Sequence, residues 1–278
     1  MKKWILAIAA IAFCTAAAAQ TTAEEYLARF ERLVRTVGPD GVGVEPLLDR
    51  WEEDFPDDPA VHVARFNYHF QKSQRTEMVA KGTQRRYLGN PPSLTLKDSD
   101  GQDVNFFPED FYDEEEFAEA MKVLDRQIGL RPDELRFHFL KVSALAAYEK
   151  ESPDMAAAEL KSVIERQASA RPAWTLDGNP TDTEVFQQGI GEYCYEFFQV
   201  GTPASYEYFR EISERMNKLF PKNPVFLDNL GSYELVVKED YKQAAKYYKK
   251  ALKFDPDDYA ATSNLQLIER KQAQSKKK

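Results

Sequence analysis

Along most of the chain, apolar side chains recur at steps of three and four residues, the spacing that gathers them on one face of an α-helix. The pattern is clearest between Pro224 and Pro256. Leu227, Leu230, Gly231 and Leu235 mark one helix there, and Tyr241, Ala244, Ala245, Tyr248, Ala251 and Leu252 mark a second. In the second helix, small and aromatic residues share a face. The small ones let two helices approach closely, and the rings fill the space beside them. Pro256 closes the pair, because proline cannot continue a helix without losing a hydrogen bond.

A proline-and-acid mark separates the helical segments. Phe55-Pro56-Asp57-Asp58-Pro59, Phe220-Pro221-Lys222-Asn223-Pro224 and Phe254-Asp255-Pro256-Asp257-Asp258 share a form, and Leu130-Arg131-Pro132-Asp133 is a fourth instance. Such a mark ends one helix and supplies the cap or first residue of the next. Reading between the marks predicts helices over 22–37, 44–55, 59–72, 114–129, 132–149, 154–168, 182–200, 203–220, 224–238, 240–254 and 257–273. Asp113 with Glu116 and Thr181 with Glu184 have capping-box spacing. Ser152-Pro153 and Thr202-Pro203 place a capping hydroxyl before proline.

Residues 73–112 break the helical pattern. Leu94-Thr95-Leu96 and Val104-Asn105-Phe106 alternate as strands do, joined by the turn-rich run Lys97 to Asp103. A β-hairpin inserted between helices is expected, as an ordered insert or a functional arm.

The segment 224–257 resembles the tetratricopeptide repeat (TPR), a helix–turn–helix unit of about 34 residues. Leu230-Gly231, Tyr241 to Ala244, Tyr248, Ala251 and Pro256 match the family's pattern. One extra residue stands in the turn around Val237 to Asp240. The resemblance implies an all-α fold, a right-handed solenoid of helical hairpins carrying the small β-hairpin insertion. It also implies a concave groove lined by first helices, onto which Val225, Asp228, Ser232 and Leu235 map. The family's chaperone-tail clamp is not expected, since no Lys is followed four residues later by Asn.

Composition adds a compartment. Residues 1–19 carry Lys2 and Lys3, then an apolar run, then Ala17-Ala18-Ala19, the arrangement of a cleaved signal peptide. Cys14 follows Phe13 rather than a small residue, which argues against lipidation. The domain is then 20–278, with Cys194 its single cysteine and no internal disulfide possible. The apolar run is shorter than the roughly 20 residues needed to cross a bilayer, and no second long apolar segment exists. Net charge is −16 over Gln20 to Phe209 and +5 over Arg210 to Lys278, where Lys276-Lys277-Lys278 ends the chain. The acidic balance argues against nucleic acid as a partner.

Candidate chemistry is sparse. Setting Gly101 at the sixth position of a calcium loop puts Leu96 and Phe107 where oxygen ligands belong, so Asp98, Asp100 and Asp103 read as a hairpin turn. His62, His69 and His138 form no metal-binding motif. Cys194 lies in an aromatic helix without a base to activate it. Gly189 and Gly191 read as close-packing positions, and no phosphate-binding glycine motif is present. The acids from Glu109 to Glu119 read as a solvated helix start.

The sequence therefore points to a non-catalytic protein–protein interaction scaffold of a bacterial cell envelope, periplasmic or secreted, with no metal or cofactor. Its groove would hold a peptide or another envelope protein. The alternative is a glycan-binding or hydrolytic envelope protein using the insert, where Tyr87, Phe106, Phe107, Phe111 and Tyr112 either stack on sugars or anchor the hairpin. Partner identity and oligomeric state are left open.

Overall fold

The computed structural model describes residues 21–275. The signal-peptide reading of 1–19 and the terminal Lys276-Lys277-Lys278 lie outside the described residues. Eleven helices and two small sheets make up the described chain: α1 (Ala23–Val37), α2 (Val44–Asp54), α3 (Pro59–Ser73), β1 (Gln74–Ala80), β2 (Leu94–Lys97), β3 (Asp103–Tyr112), α4 (Glu114–Leu130), α5 (Leu135–Glu149), α6 (Asp154–Ala170), β4 (Thr175–Leu176), β5 (Asn179–Pro180), α7 (Thr183–Val200), α8 (Pro203–Leu219), α9 (Pro224–Val236), α10 (Tyr241–Ala251) and α11 (Tyr259–Ser275). Among the described residues no helix is long and apolar enough to cross a membrane.

The helices form a TPR-like row of hairpins, each packed chiefly on its neighbours. The proline-and-acid marks are its joints. Phe55, Arg131 and Phe220 close α2, α4 and α8 with φ of −137°, −130° and −129° and ψ of 65°, 65° and 69°. Three residues on, the N–H of Asp58, Glu134 and Asn223 returns to the carbonyls of Phe55, Arg131 and Phe220. Each of those three side chains then caps the next helix, accepting from the N–H of Ala60, Arg136 and Val225. The mark at Phe254 to Asp258 is displaced by one residue, Asp258 N–H donating to the Asp255 carbonyl. Histidines repeat the register. His62 Nε2 lies 2.8 Å from the Pro56 carbonyl oxygen, and His138 Nε2 lies 3.1 Å from that of Pro132. Both are buried parts of a joint, and His138 and His69 also meet Glu159 and Glu116 at 2.9 Å.

These joints divide the chain into hairpins α1–α2, α3–α4, α5–α6, α7–α8 and α9–α10, with α11 against the last. Tight interfaces use the expected glycines. A Cβ on Gly231 would sit 2.7 Å from the Tyr248 ring, and one on Gly189 would sit 2.4 Å from the Phe139 ring. Cys194 is fully buried, and burial pushes its thiol up to about 12. Three apolar clusters follow one another along the row, one in α1–α3, the largest from Phe66 to Tyr233, and one in α9–α11.

Several local expectations change. The insert holds the expected β2–β3 hairpin, but β3 runs on to Tyr112 and pairs antiparallel with β1 along its whole length, giving the order β1-β3-β2. Glu109 and Asp110 therefore belong to a strand, and the helix start begins at the Asp113 cap. The whole insert lies inside the α3–α4 hairpin, whose helices still pack together. Helix α5 begins at Leu135 and not 132, and α10 ends at Ala251. The cap of α7 is Asp182 and not Thr181, its carboxylate accepting from the N–H of Glu184 and Val185. Ser152 does not cap α6. The Glu149 carboxylate reaches over instead and accepts from the N–H of Met155 and Ala156. An unforeseen ladder, β4–β5, replaces the joint between α6 and α7. Its turn uses Asp177 and Gly178 at φ of 53° and 75°, and the Arg136 guanidinium clamps the Asp177 carboxylate at 2.7 and 2.5 Å.

Candidate functional site

Helix α7 has two chemically opposite faces. Phe186, Ile190, Cys194 and Phe197 are buried on the inner side. Glu184, Gln188, Glu192 and Glu196 stand four residues apart and are exposed, so they form one ladder along the outer side. Tyr195 stands beside the ladder with 62% of its surface exposed.

This outer face floors a cleft. A cavity of about 1280 Å³ lies between α7 and the α8–α9 joint, walled by Phe220, Pro221, Lys222 and Val225. A second, of about 640 Å³, lies between α7, α5 and the insert, walled by Ser143, Ala146 and Lys150 and by Leu88, Pro108 and Glu109. Tyr195 and Glu196 line both, so the two adjoin along α7 at these residues. Gly191 allows the close approach of α9. A Cβ there would lie 3.3 Å from Val225 Cγ1. The Asn223 side-chain amide donates to Gln187 Oε1 at 3.0 Å and ties the joint to the floor.

The insert is held over this cleft by a partly buried charge cluster. The Glu109 carboxylate accepts from Lys150 and from Lys81, both at 2.7 Å. Burial opposes the charge on Glu109, but the two lysine hydrogen bonds outweigh it and hold the carboxyl below the usual range. The Lys81 ammonium also sits 4.1 Å from the centre of the Tyr87 ring, which meets Phe107 edge-on at 5.8 Å. Gly89, at φ of 80°, brings the loop onto α7. A Cβ there would lie 3.0 Å from the Gln199 carbonyl oxygen, so only glycine fits.

The insert aromatics divide by position. Tyr87 and Phe107 are buried, and Tyr112 joins Phe70, Phe117 and Tyr148 in the helical core, so these three anchor the insert. Phe111 is partly open, with the Lys150 ammonium 4.5 Å from its ring centre. The register places Leu94 beside Phe106, Leu96 beside Val104 and Met78 beside Pro108, all on one sheet face. Met78, Leu94 and Leu96 are about half exposed there.

The four groove residues expected from the repeat pattern do not stay together. Val225 is 45% exposed and lines the cleft. Asp228 is half-buried, with Oδ1 lacking a partner. Burial, a hydrogen bond with Asp258 and the charges of Asp258 and Asp255 push its carboxyl up to about 9. Ser232 shares a 3.0 Å hydrogen bond with the Tyr248 hydroxyl. Leu235 is 5% exposed and belongs to the α9–α11 core, so its surface role is corrected. Its packing against α10 and α11 has taken the place of a groove contact. The sequence pattern marks Glu184 only as part of a helix cap and assigns Glu192, Tyr195 and Glu196 no surface role. The signal for the glutamates is their helical spacing, in a segment otherwise notable for its cap, cysteine and glycines. Loss of surrounding water, then the charge of Glu192, raises the Glu196 carboxyl above its ordinary value. Among the described residues, no group of three or more His, Cys, Asp or Glu side chains is placed to hold a metal ion.

No family model matches the chain, and no curated protein matches it. Solved structures similar to it include the MamA RS-1 ArsTM double mutant, with a TM-score of 0.39 and 14% identity over 84% of this chain and 94% of that one. Another is the TPR domain of P58(IPK), with a TM-score of 0.32 and 14% identity over 93% of this chain, which spans 58% of that one. At these scores the likeness is coarse, and the hairpin row stands on its own joints and interfaces.

Proposed function

We propose that this protein is a non-catalytic interaction scaffold that holds a peptide segment of a partner protein in the cleft along α7. The observation that carries this reading is that two cavities adjoin on the outer face of α7, with Tyr195 and Glu196 lining both. A cleft of that length, with rigid helices as floor and walls, offers an extended segment many contacts without moving parts. Tyr195 is a suitable anchor, since an exposed aromatic ring supplies large contact area at small entropic cost. Val225 is the expected groove residue that remains available there, and the insert closes one side. The leader-like residues 1–19 support placing this activity in a bacterial cell envelope, periplasmic or secreted, with another envelope protein as the partner.

A photo-reactive phenylalanine analogue at Tyr195 tests the assignment, with the same analogue at Val42, which is 94% exposed on another part of the chain, as reference. Irradiation of the native envelope should give a discrete adduct from Tyr195 that Val42 does not give. The same adducts from both positions would remove the cleft from the account.

A further inference from the structure

We infer that the α7 cleft is selective for a cationic segment, an extended stretch of the partner with Lys or Arg at alternate positions and apolar side chains between them. This inference rests on the scaffold reading above and names the chemistry of its partner.

Charge is the first ground. Several carboxylates elsewhere in the fold are matched by a base. Glu109 has Lys81 and Lys150, Glu159 has Lys141, Glu165 has Arg215, and Glu207 and Glu214 have Arg210. Glu184, Glu192 and Glu196 are different. Among the described residues no ion pair holds any of the three, and Glu192 accepts only from the Gln188 amide. Glu192 and Glu196 are like charges four residues apart on a helix and repel, so this pair opposes the helix that carries it. A cation laid across the ladder removes that repulsion. The larger cavity has one basic wall residue, Lys222, against these three acids.

Geometry is the second ground. From Glu184 to Glu196 the helix rises about 18 Å, the reach of five or six residues of extended chain. Adjacent charged rungs, Glu192 and Glu196, stand about 6 Å apart along the axis, and alternate side chains of an extended strand repeat at about 7 Å. The two periods match closely enough for two successive basic side chains to meet Glu192 and Glu196, and for a third to reach Glu184 past the Gln188 rung. Tyr195 stands beside the ladder with its ring open, a surface on which an ammonium or guanidinium group stacks. Val225 on the facing wall, 45% exposed, receives the intervening apolar side chains. An acidic peptide or a polyanion meets the same ladder as a barrier.

Fluorescence anisotropy with the full chain tests this, using end-blocked, labelled hexapeptides of alternating Lys-Val, Ser-Val and Glu-Val. The Lys-Val peptide should bind, and the variant E184Q/E192Q/E196Q should weaken it by about tenfold or more. A control variant, E24Q/E31Q/E119Q, removes three carboxylates from α1 and α4 and should leave binding within about twofold. Equal weakening by both variants would show a diffuse charge effect and overturn the inference. Binding of Ser-Val or Glu-Val at least as tight as that of Lys-Val, lost in Y195A/V225A, would also overturn it while leaving the cleft a peptide site. No binding of any peptide would overturn the cationic selectivity, and the scaffold reading would then depend on the Tyr195 adduct alone. Far-UV circular dichroism establishes that every variant folds.

Discussion

The ring of Tyr248 in α10 lies directly over Gly231 in α9, where an added Cβ would meet Cε1 at 2.7 Å. The same device recurs at α5 and α7, with Phe139 over Gly189. Each glycine sits mid-helix, where it costs about 0.5–1 kcal/mol relative to alanine in backbone freedom. Here that cost is offset by a ring buried where a side chain would otherwise stand.

Gly231→Ala and Gly189→Ala should therefore destabilise the fold although alanine is the better helix former. Overpacking of this kind costs about 1–3 kcal/mol. Urea titrations should show lower midpoints for both variants. Because the row is stacked from neighbouring hairpins, the loss should appear first in the helices flanking the substitution, which amide exchange resolves.

The half-buried carboxyl of Asp228 makes stability depend on pH in a stated direction. Its folded-state value of about 9 stands far above the unfolded value of about 3.9. The folded chain thus holds a proton that the unfolded chain releases, so stability from this group is complete below about pH 4 and is lost as pH rises toward 9. Asp228→Asn keeps the shape and removes the titration. Thermal melts should show the parent losing stability relative to this variant between pH 5 and 9.

Glu109 holds the insert over the cleft through Lys81 and Lys150. Removing one member of a partly buried ionic cluster leaves the others uncompensated. Glu109→Gln should loosen the insert and leave the hairpins in place. Limited proteolysis within 81–93 should accelerate, while the helical circular dichroism signal stays near that of the parent.

Cys194 should behave as a core residue. With its thiol pushed up to about 12 and its side chain fully buried, almost no thiolate is available at neutral pH. A thiol-specific reagent should label it only at the rate of unfolding, and rapid labelling of the folded chain would contradict its placement.

The helices were legible in the sequence because their signals are local: apolar steps, caps and prolines within a few residues of one another. The joint at Phe220 to Asn223, for example, is written in consecutive residues. Strand β1 was not legible, because its side chains are mostly polar and exposed and its existence depends on β3, about thirty residues away in sequence. The Glu149 cap was hidden for a related reason, since a carboxylate six and seven residues upstream supplants the adjacent Ser152. The cleft needed still more. Its wall residues come from α5, α7, the α8–α9 joint and the insert, and only the stacking brings Tyr195, Val225 and Pro108 to one surface. Leu235 shows the converse error, a position assigned by repeat register whose side chain the next helices have buried.

Hydrogen–deuterium exchange of the full chain tests the central claim most directly, with the partner segment recovered through Tyr195, synthesised and added back. Protection should rise along α7, from Thr183 to Val200, and at the α8–α9 joint from Leu219 to Val225, with α1, α2 and α11 unchanged. Protection confined to α11 or to the outer face of the insert, with α7 unaltered, would contradict it.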